Sequence, residues 1–254
     1  MRSIKIGYSS LVYVFLYLPI TVLIIYSFNA SKFGTSWKGF TLDWYSSLLE
    51  NSSLMTAAGN SVMVAVLAAT CATVIGSMAS VAFYRYGFRG KKMLLGLVYV
   101  LIMAPDIVMG ISLLILFVTL QMETGFLTLL LSHITFNIPF VIVTVLSRMK
   151  GFDKNLFDAA DDLGATEFQT VRYVLLPMML PAIAAGWLLS FTLSMDDVLI
   201  SFFVTGPDFE ILPLRIYSMV RLGVKPEVNA LCTVMFALSL IIVMISQILA
   251  KEKK

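Results

Sequence analysis

Six windows of this 254-residue chain are apolar enough to cross a lipid bilayer, and they leave little sequence for anything else. A bilayer core takes about 20 residues of helix, and the windows fall near 8–28, 60–84, 93–120, 126–147, 178–204 and 229–249. Lipid offers no hydrogen-bond partner to a backbone, so a spanning segment must satisfy its own amides, as a helix does. An outer-membrane barrel would instead alternate apolar and polar residues over short strands. Composition agrees: 59% of residues are hydrophobic and 13% charged, against about 45–50% and 25% in soluble domains. The expected fold is all-α and integral to the membrane, one transmembrane domain over 1–254, with no room for a separate soluble domain. The first window is read as a retained span, because Phe28 sits where a cleaved leader needs a small residue. Cys71 and Cys232 lie in apolar windows and read as small buried hydrophobes rather than a disulfide or metal site.

Basic residues then set the orientation. Arg2, Lys5, Arg85, Arg89, Lys91, Lys92, Arg148, Lys150, Lys154, Arg172, Lys251, Lys253 and Lys254 fall on one side of the six-span scheme. Only Lys32, Lys38, Arg215, Arg221 and Lys225 fall on the other. The excess predicts both termini in the cytoplasm. The net charge of +3 therefore reflects membrane topology rather than an affinity for nucleic acid.

Within the fifth window, "LSMDDVLISFF" sets Asp196 and Asp197 side by side in an otherwise apolar run, with no Lys or Arg between Arg172 and Arg215. An acid in mid-span costs roughly 2.5–3.5 kcal/mol on insertion scales, which marks it as functional. The third window holds one more, Asp106, directly after Pro105. Counted along straight helices at about 1.5 Å per residue, Asp106 lies about 20 Å from Met93 and Asp196 about 22 Å from Pro181. All three acids thus fall in one layer. Three carboxylates without bases call for a cation. Two other readings stay open: one acid of the pair is protonated, or Asp106 caps the helix restarted after Pro105. Aromatic walls for cation–π contact are sought among Trp44, Phe202, Phe203 and Tyr217. Trp44 and Tyr45, in a helix-like stretch over 40–55, read equally as interfacial anchors. A second amphipathic turn is expected over 211–224. His133, the single histidine, reads as a hydrogen-bonded interior residue, not a metal ligand.

No His, Ser or Cys constellation for catalysis is evident. "GFRGKK" at 87–92 lacks the full phosphate-loop spacing and follows no strand. The longest polar loop, 148–177, repeats Phe152, Leu156, Ala159, Ala160 and Leu163 at helical spacing, bends at Gly164, and resumes with Phe168, Val171, Val174 and Leu175. An apolar face on a short exposed hairpin needs a partner, or the chain's own spans, to cover it.

This loop resembles the cytoplasmic motif of ATP-driven importer permeases, an E-A-A, three residues, G, nine residues, then I-x-L-P. Asp158-Ala159-Ala160, Gly164 and Val174-Leu175-Leu176-Pro177 match every spacing, with Asp for Glu and Val for Ile. "PDIVMGISLL" (105–114), "SHITFNIPFVIVTV" (132–145), "AGWLLSFTLSMDDV" (185–198) and "FVTGPDFEILPLRIYSMV" (203–220) extend the likeness to the permeases of bacterial spermidine/putrescine importers. The resemblance implies a MetI-like, type I importer permease. It implies that Asp158, Ala159, Ala160, Asp162, Gly164 and Pro177 couple to an ATPase through a hairpin at about 152–176. It implies a sister permease, two ATPase subunits and a periplasmic polyamine-binding protein as partners. The permease would bind no cofactor directly, with ATP and Mg used by the ATPase, and would work by alternating access. A permease for another cationic solute, or a proton-coupled cation transporter or channel, would use the same acids; only the ATP-driven readings use the coupling motif. A membrane-embedded enzyme would lack its catalytic groups.

Overall fold

A computed structural model of the chain describes residues 2–31, 36–153, 155–221 and 226–251, and side chains within them except at 2–5, 238–239 and 241–251. Lys32, Lys154, Lys225, Lys253 and Lys254, counted in the basic asymmetry, lie outside the described residues. The order is α1 Arg2–Ser27, α2 Asp43–Glu50, α3 Ser52–Arg85, α4 Lys91–Met103, α5 Asp106–Thr119, α6 Phe126–Met149, α7 Asn155–Asp162 and α8 Glu167–Gln169. A π-helical stretch Thr170–Leu175 leads into α9 Leu176–Asp196, then α10 Leu199–Val204, α11 Leu212–Arg221 and α12 Pro226–Lys251. Four described helical segments are long and apolar enough to span a bilayer by themselves: Ile6–Ser27, Ser52–Arg85, Phe126–Met149 and Glu167–Asp196.

Two expected spans are broken. The window 93–120 is not one straight helix: α4 and α5 meet at a 110° bend. Ala104 and Pro105 are both extended, with ψ 138° and 132°. Proline removes a helix donor and pushes the residue before it out of the helical region, so the ladder stops there. The straight-helix count from Met93 to Asp106 therefore does not hold. The window 178–204 breaks after Asp196, where Asp197 is extended at ψ 123°. The acid pair lies at a helix break, not in mid-helix. Two boundaries also move. The stretch 40–55 is helical only over Asp43–Glu50, and the next helix begins at Ser52 rather than near 60.

The chain forms two compact units. One comprises Met1–Thr56 with Arg215–Lys254, the other Ala57–Leu214. In the first, α12 packs on α1 and α2. Phe28 stacks on Phe40 at 5.2 Å beside an Asn29–Phe40 bridge. In the second, α6 is the central post, packing on α4, α9 and α10, while α10 lies along α5. Its fully buried residues include Leu129, Val141, Val145, Met149, Met179 and Ile200. Gly110 permits the α5–α10 contact: a Cβ there would sit 2.7 Å from Phe203 Cδ2 and 3.3 Å from the Ile200 Cα. Cys71 is exposed on the isolated chain and Cys232 half-buried, and both are free thiols, so the expected burial does not hold.

Candidate cation path and coupling surface

Asp106 is the first residue of α5, just past the proline break. The Asp196 carboxylate ends α9. The two breaks bring these residues together in a cavity of about 190 Å³ lined by Asp106, Phe136, Leu193, Asp196, Asp197, Val198 and Leu199. Asp106 and Asp196 are exposed to it, and neither forms a hydrogen bond or ion pair with the described residues. The cap position of α5 is held by Pro105, and Asp106 is the first helical residue rather than the cap. An acid at the start of a helix is still favoured by the local dipole.

Asp197 is handled differently. Its side chain is only 8% exposed. Oδ1 accepts the Ile200 N–H at 3.2 Å, and Oδ2 accepts the Ser201 N–H at 2.8 Å and the Ser201 hydroxyl at 2.6 Å. The carboxylate thus caps α10, supplying acceptors to first-turn amides that have no helical partner. This is why the chain turns here without a proline or glycine. Asp competes with the helix ladder by bonding nearby amides. His133 stands behind the cap, 2% exposed. Its Nε2 is 2.9 Å from Ser201 Oγ and 3.5 Å from Asp197 Oδ2, and its Nδ1 is 2.6 Å from Ser194 Oγ. The interior, hydrogen-bonded histidine expected from the sequence is what the fold contains. Among the described residues no group of His, Cys, Asp and Glu is placed to hold a metal ion.

The aromatic candidates scatter. Phe203 is half-buried in the core against Gly110 and Ile200, while its neighbour Phe202 is 54% exposed and meets it edge to face. Neither lines the cavity; Phe136 does, which the sequence reading did not single out. Trp44 and Tyr217 lie in the other unit. The Trp44 indole donates to the Asn29 carbonyl at 2.8 Å, Tyr45 and Ser27 share a 2.6 Å hydrogen bond, and the Arg221 guanidinium sits 5.6 Å over the Tyr217 ring.

The hairpin after α6 folds as α7, a bend at Gly164 with φ +75°, and the α8–π–α9 rise. A left-handed φ favours glycine, which has no Cβ to clash. Thr166 and Gln169 form a capping box at the start of the rise. Pro177 is the second residue of α9, just past the π-helical turn, in a first-turn position where a proline is tolerated. The expected single apolar face of α7 is in fact divided. Phe157 and Ala160 point inward and are buried, whereas Leu156, Ala159 and Leu163 face out, Leu163 at 88% exposed. Asp158 and Asp162 are exposed beside them, as is Phe168 beyond the bend. Phe157, absent from the sequence stripe, packs 5.8 Å from the Tyr84 ring and lies under the Arg85 guanidinium at 5.1 Å. Arg85 also pairs with Asp161 at 3.6 Å. These contacts tie α7 to the end of α3.

Residues 72–251 match the family model for the binding-protein-dependent transport system inner membrane component. The chain is 57% identical over 252 residues to the spermidine/putrescine transport system permease protein PotC of Escherichia coli (strain K12), covering 99% of this chain and 96% of that protein. It is 43% identical over 228 residues to the putrescine transport system permease protein PotI of the same strain, covering 87% and 81%. Among solved structures, a bacterial ABC transporter involved in the import of the acidic polysaccharide alginate superposes with a TM-score of 0.77 at 16% identity, covering 97% of this chain and 96% of that one. At that identity the likeness is one of fold.

Proposed function

The chain belongs to the family of binding-protein-dependent transport system inner membrane components, and from that premise we propose that it is a permease subunit of an ATP-driven spermidine/putrescine importer. It is a multi-pass membrane transport component, not an enzyme. The observation that carries the cargo assignment is the cavity in which the unpaired acids Asp106 and Asp196 meet beside Phe136. An alkylammonium group suits such a place: carboxylates supply charge and acceptors, and an aromatic face adds cation–π attraction. A flexible polyamine carries several such groups along its length, so it can be passed between acids spaced along a path. A site on a transport path must also let go. Two acids without a closed ring of donors and acceptors meet that need.

In this reading the permease lines half the path and a sister permease the other half. One of two ATPase subunits docks on the outward face of α7 and the residue that follows it, through Asp158, Ala159, Asp162 and Leu163. ATP and Mg act there, in the partner, and a periplasmic binding protein delivers the cargo. Both termini lie in the cytoplasm, on the side of the basic residues. Motion of the ATPases enters at α7 and reaches α3 through Phe157, Arg85 and Asp161, and it reaches α9 through the bend at Gly164. Alternating access follows if these helices move as units about the breaks at Pro105 and Asp197.

Uptake of labelled spermidine and putrescine by vesicles holding the whole complex, with and without ATP, tests the reading. ATP-dependent uptake that falls in Asp196→Asn supports it. A complex that hydrolyses ATP in response to its binding protein yet moves neither polyamine refutes the cargo assignment.

A further inference from the structure

We propose that His133 is a positioning residue for cation passage: it locks Asp197 into the helix break and so leaves Asp196, with Asp106, as the acids that meet the cargo. The role in passage rests on the polyamine reading above; the lock itself rests on hydrogen bonding alone.

The direction of each bond follows from the groups involved. A carboxylate can only accept, so the 2.6 Å contact is Ser201 Oγ donating to Asp197 Oδ2. A hydroxyl has one proton. Ser201 therefore accepts at its other contact, and His133 Nε2–H is the donor at 2.9 Å. In a neutral imidazole the second nitrogen then accepts, so Ser194 Oγ donates to Nδ1 at 2.6 Å. Donation runs Ser194 to His133 to Ser201 to Asp197. Every member is buried, with Ser194 at 4%, His133 at 2%, Ser201 at 0% and the Asp197 side chain at 8%.

The route matters as much as the bonds. Ser194 precedes the break, Asp197 forms it and Ser201 follows it, while His133 belongs to α6. One imidazole thus bridges both sides of the break from a third helix. Both acids border the cavity, but Asp197 is committed to three donors with its side chain 8% exposed, whereas Asp196 is exposed and bonds no described residue. Thr128 of α6 also donates to the Val204 carbonyl at the far end of α10 at 2.8 Å, but His133 is what ties α6 to both sides of the break, through Ser194 and Ser201; without the imidazole the two acids can exchange roles.

The chain has a single histidine, so its tautomer can be read directly. The complex in nanodiscs, labelled with ¹⁵N-histidine, is compared with the same complex carrying His133→Gln, and the resonances lost in the variant belong to His133. A proton on Nε2 and none on Nδ1 is expected. A proton on Nδ1 overturns the chain of donation. Function is read as polyamine moved per ATP hydrolysed, with turnover separated from half-saturation by loaded binding protein. A Gln amide nitrogen reaches about as far as Nε2 and keeps the donor to Ser201; an Asn amide reaches only as far as Nδ1. His133→Gln is expected to stay within about threefold of the intact complex, while His133→Asn loses about tenfold in turnover, the worth of one buried charge-linked hydrogen bond. Equal behaviour of the two variants, whether both normal or both lost, overturns the positioning role. An intact complex that moves neither polyamine refutes the cargo reading instead, and the tautomer then decides the lock by itself.

Discussion

Asp196 and Asp197 are adjacent and chemically identical, yet truncating them is expected to have very unequal consequences for stability. Asp197→Ala strips acceptors from the Ile200 and Ser201 amides, which lie at positions 0% exposed. It also leaves the Ser201 hydroxyl and His133 without their carboxylate. An unsatisfied buried donor costs about 1–3 kcal/mol, and a lost helix cap about 0.5–2 kcal/mol. Partial rearrangement of the hydroxyl offsets some of this, so the net loss is about 3 kcal/mol. Asp196→Ala removes an exposed carboxylate that bonds no described residue, and its cost is within about 0.5 kcal/mol. For a chain of this size each kcal/mol moves a thermal midpoint by roughly 2–4 °C. Asp197→Ala should therefore lower the midpoint of the complex in nanodiscs by roughly 6–12 °C, and Asp196→Ala should leave it near the original. Polyamine uptake should fall in both. Because large complexes unfold irreversibly, all three samples must be heated at one scan rate. Equal midpoints for the two variants would refute the division of labour between a capping acid and a cargo-facing acid.

Three further outcomes follow from the packing. Gly110→Val drives a side chain into Phe203 and the Ile200 backbone; it should cost about 1–3 kcal/mol and reduce uptake, and an unshifted melting midpoint would count against the α5–α10 contact. Leu163→Asp changes a residue 88% exposed just past the end of α7, so the permease should melt within about 0.5 kcal/mol of the original while its copurification with the ATPase subunits is lost; normal copurification would remove Leu163 from the docking face. Phe157→Ala should destabilise by about 3–5 kcal/mol, as expected for a buried aromatic, whereas Arg85→Met, which breaks a half-exposed ion pair and a cation–π contact, should cost about 1 kcal/mol and lower cargo moved per ATP; the reverse order of stabilities would contradict the inward anchoring of α7.

The legible parts of the chain were those governed by local rules. Long apolar runs report the solvent around them, and Pro105 announces its own break because a missing amide hydrogen and a steric clash need no distant partner. The hairpin was readable from the spacing of Asp158, Gly164 and Pro177, and Gly164 adopts the left-handed φ that a bend requires. The division of α7 was not readable. Ala159 and Ala160 are indistinguishable by composition, and which one faces inward depends on where Tyr84 and Arg85 stand on α3. Phe136 is silent in the sequence for the same reason: its position on α6 acquires meaning only when α5 begins and α9 ends beside it.

Residue chemistry alone determined that the chain partitions into a bilayer, that it is helical there, and that its acids are too costly to be incidental. It also carries the family motif. The tertiary structure decided which acid does what. Asp197 is withdrawn because Ser201 and the imidazole of His133, on a different helix, donate toward it. Asp106 and Asp196 remain open because two independent helix breaks stop beside one cavity. Hydrogen bonds between elements distant in sequence leave no trace in local composition, so identical side chains become a helix cap and an open cavity-lining acid only once the helices are packed.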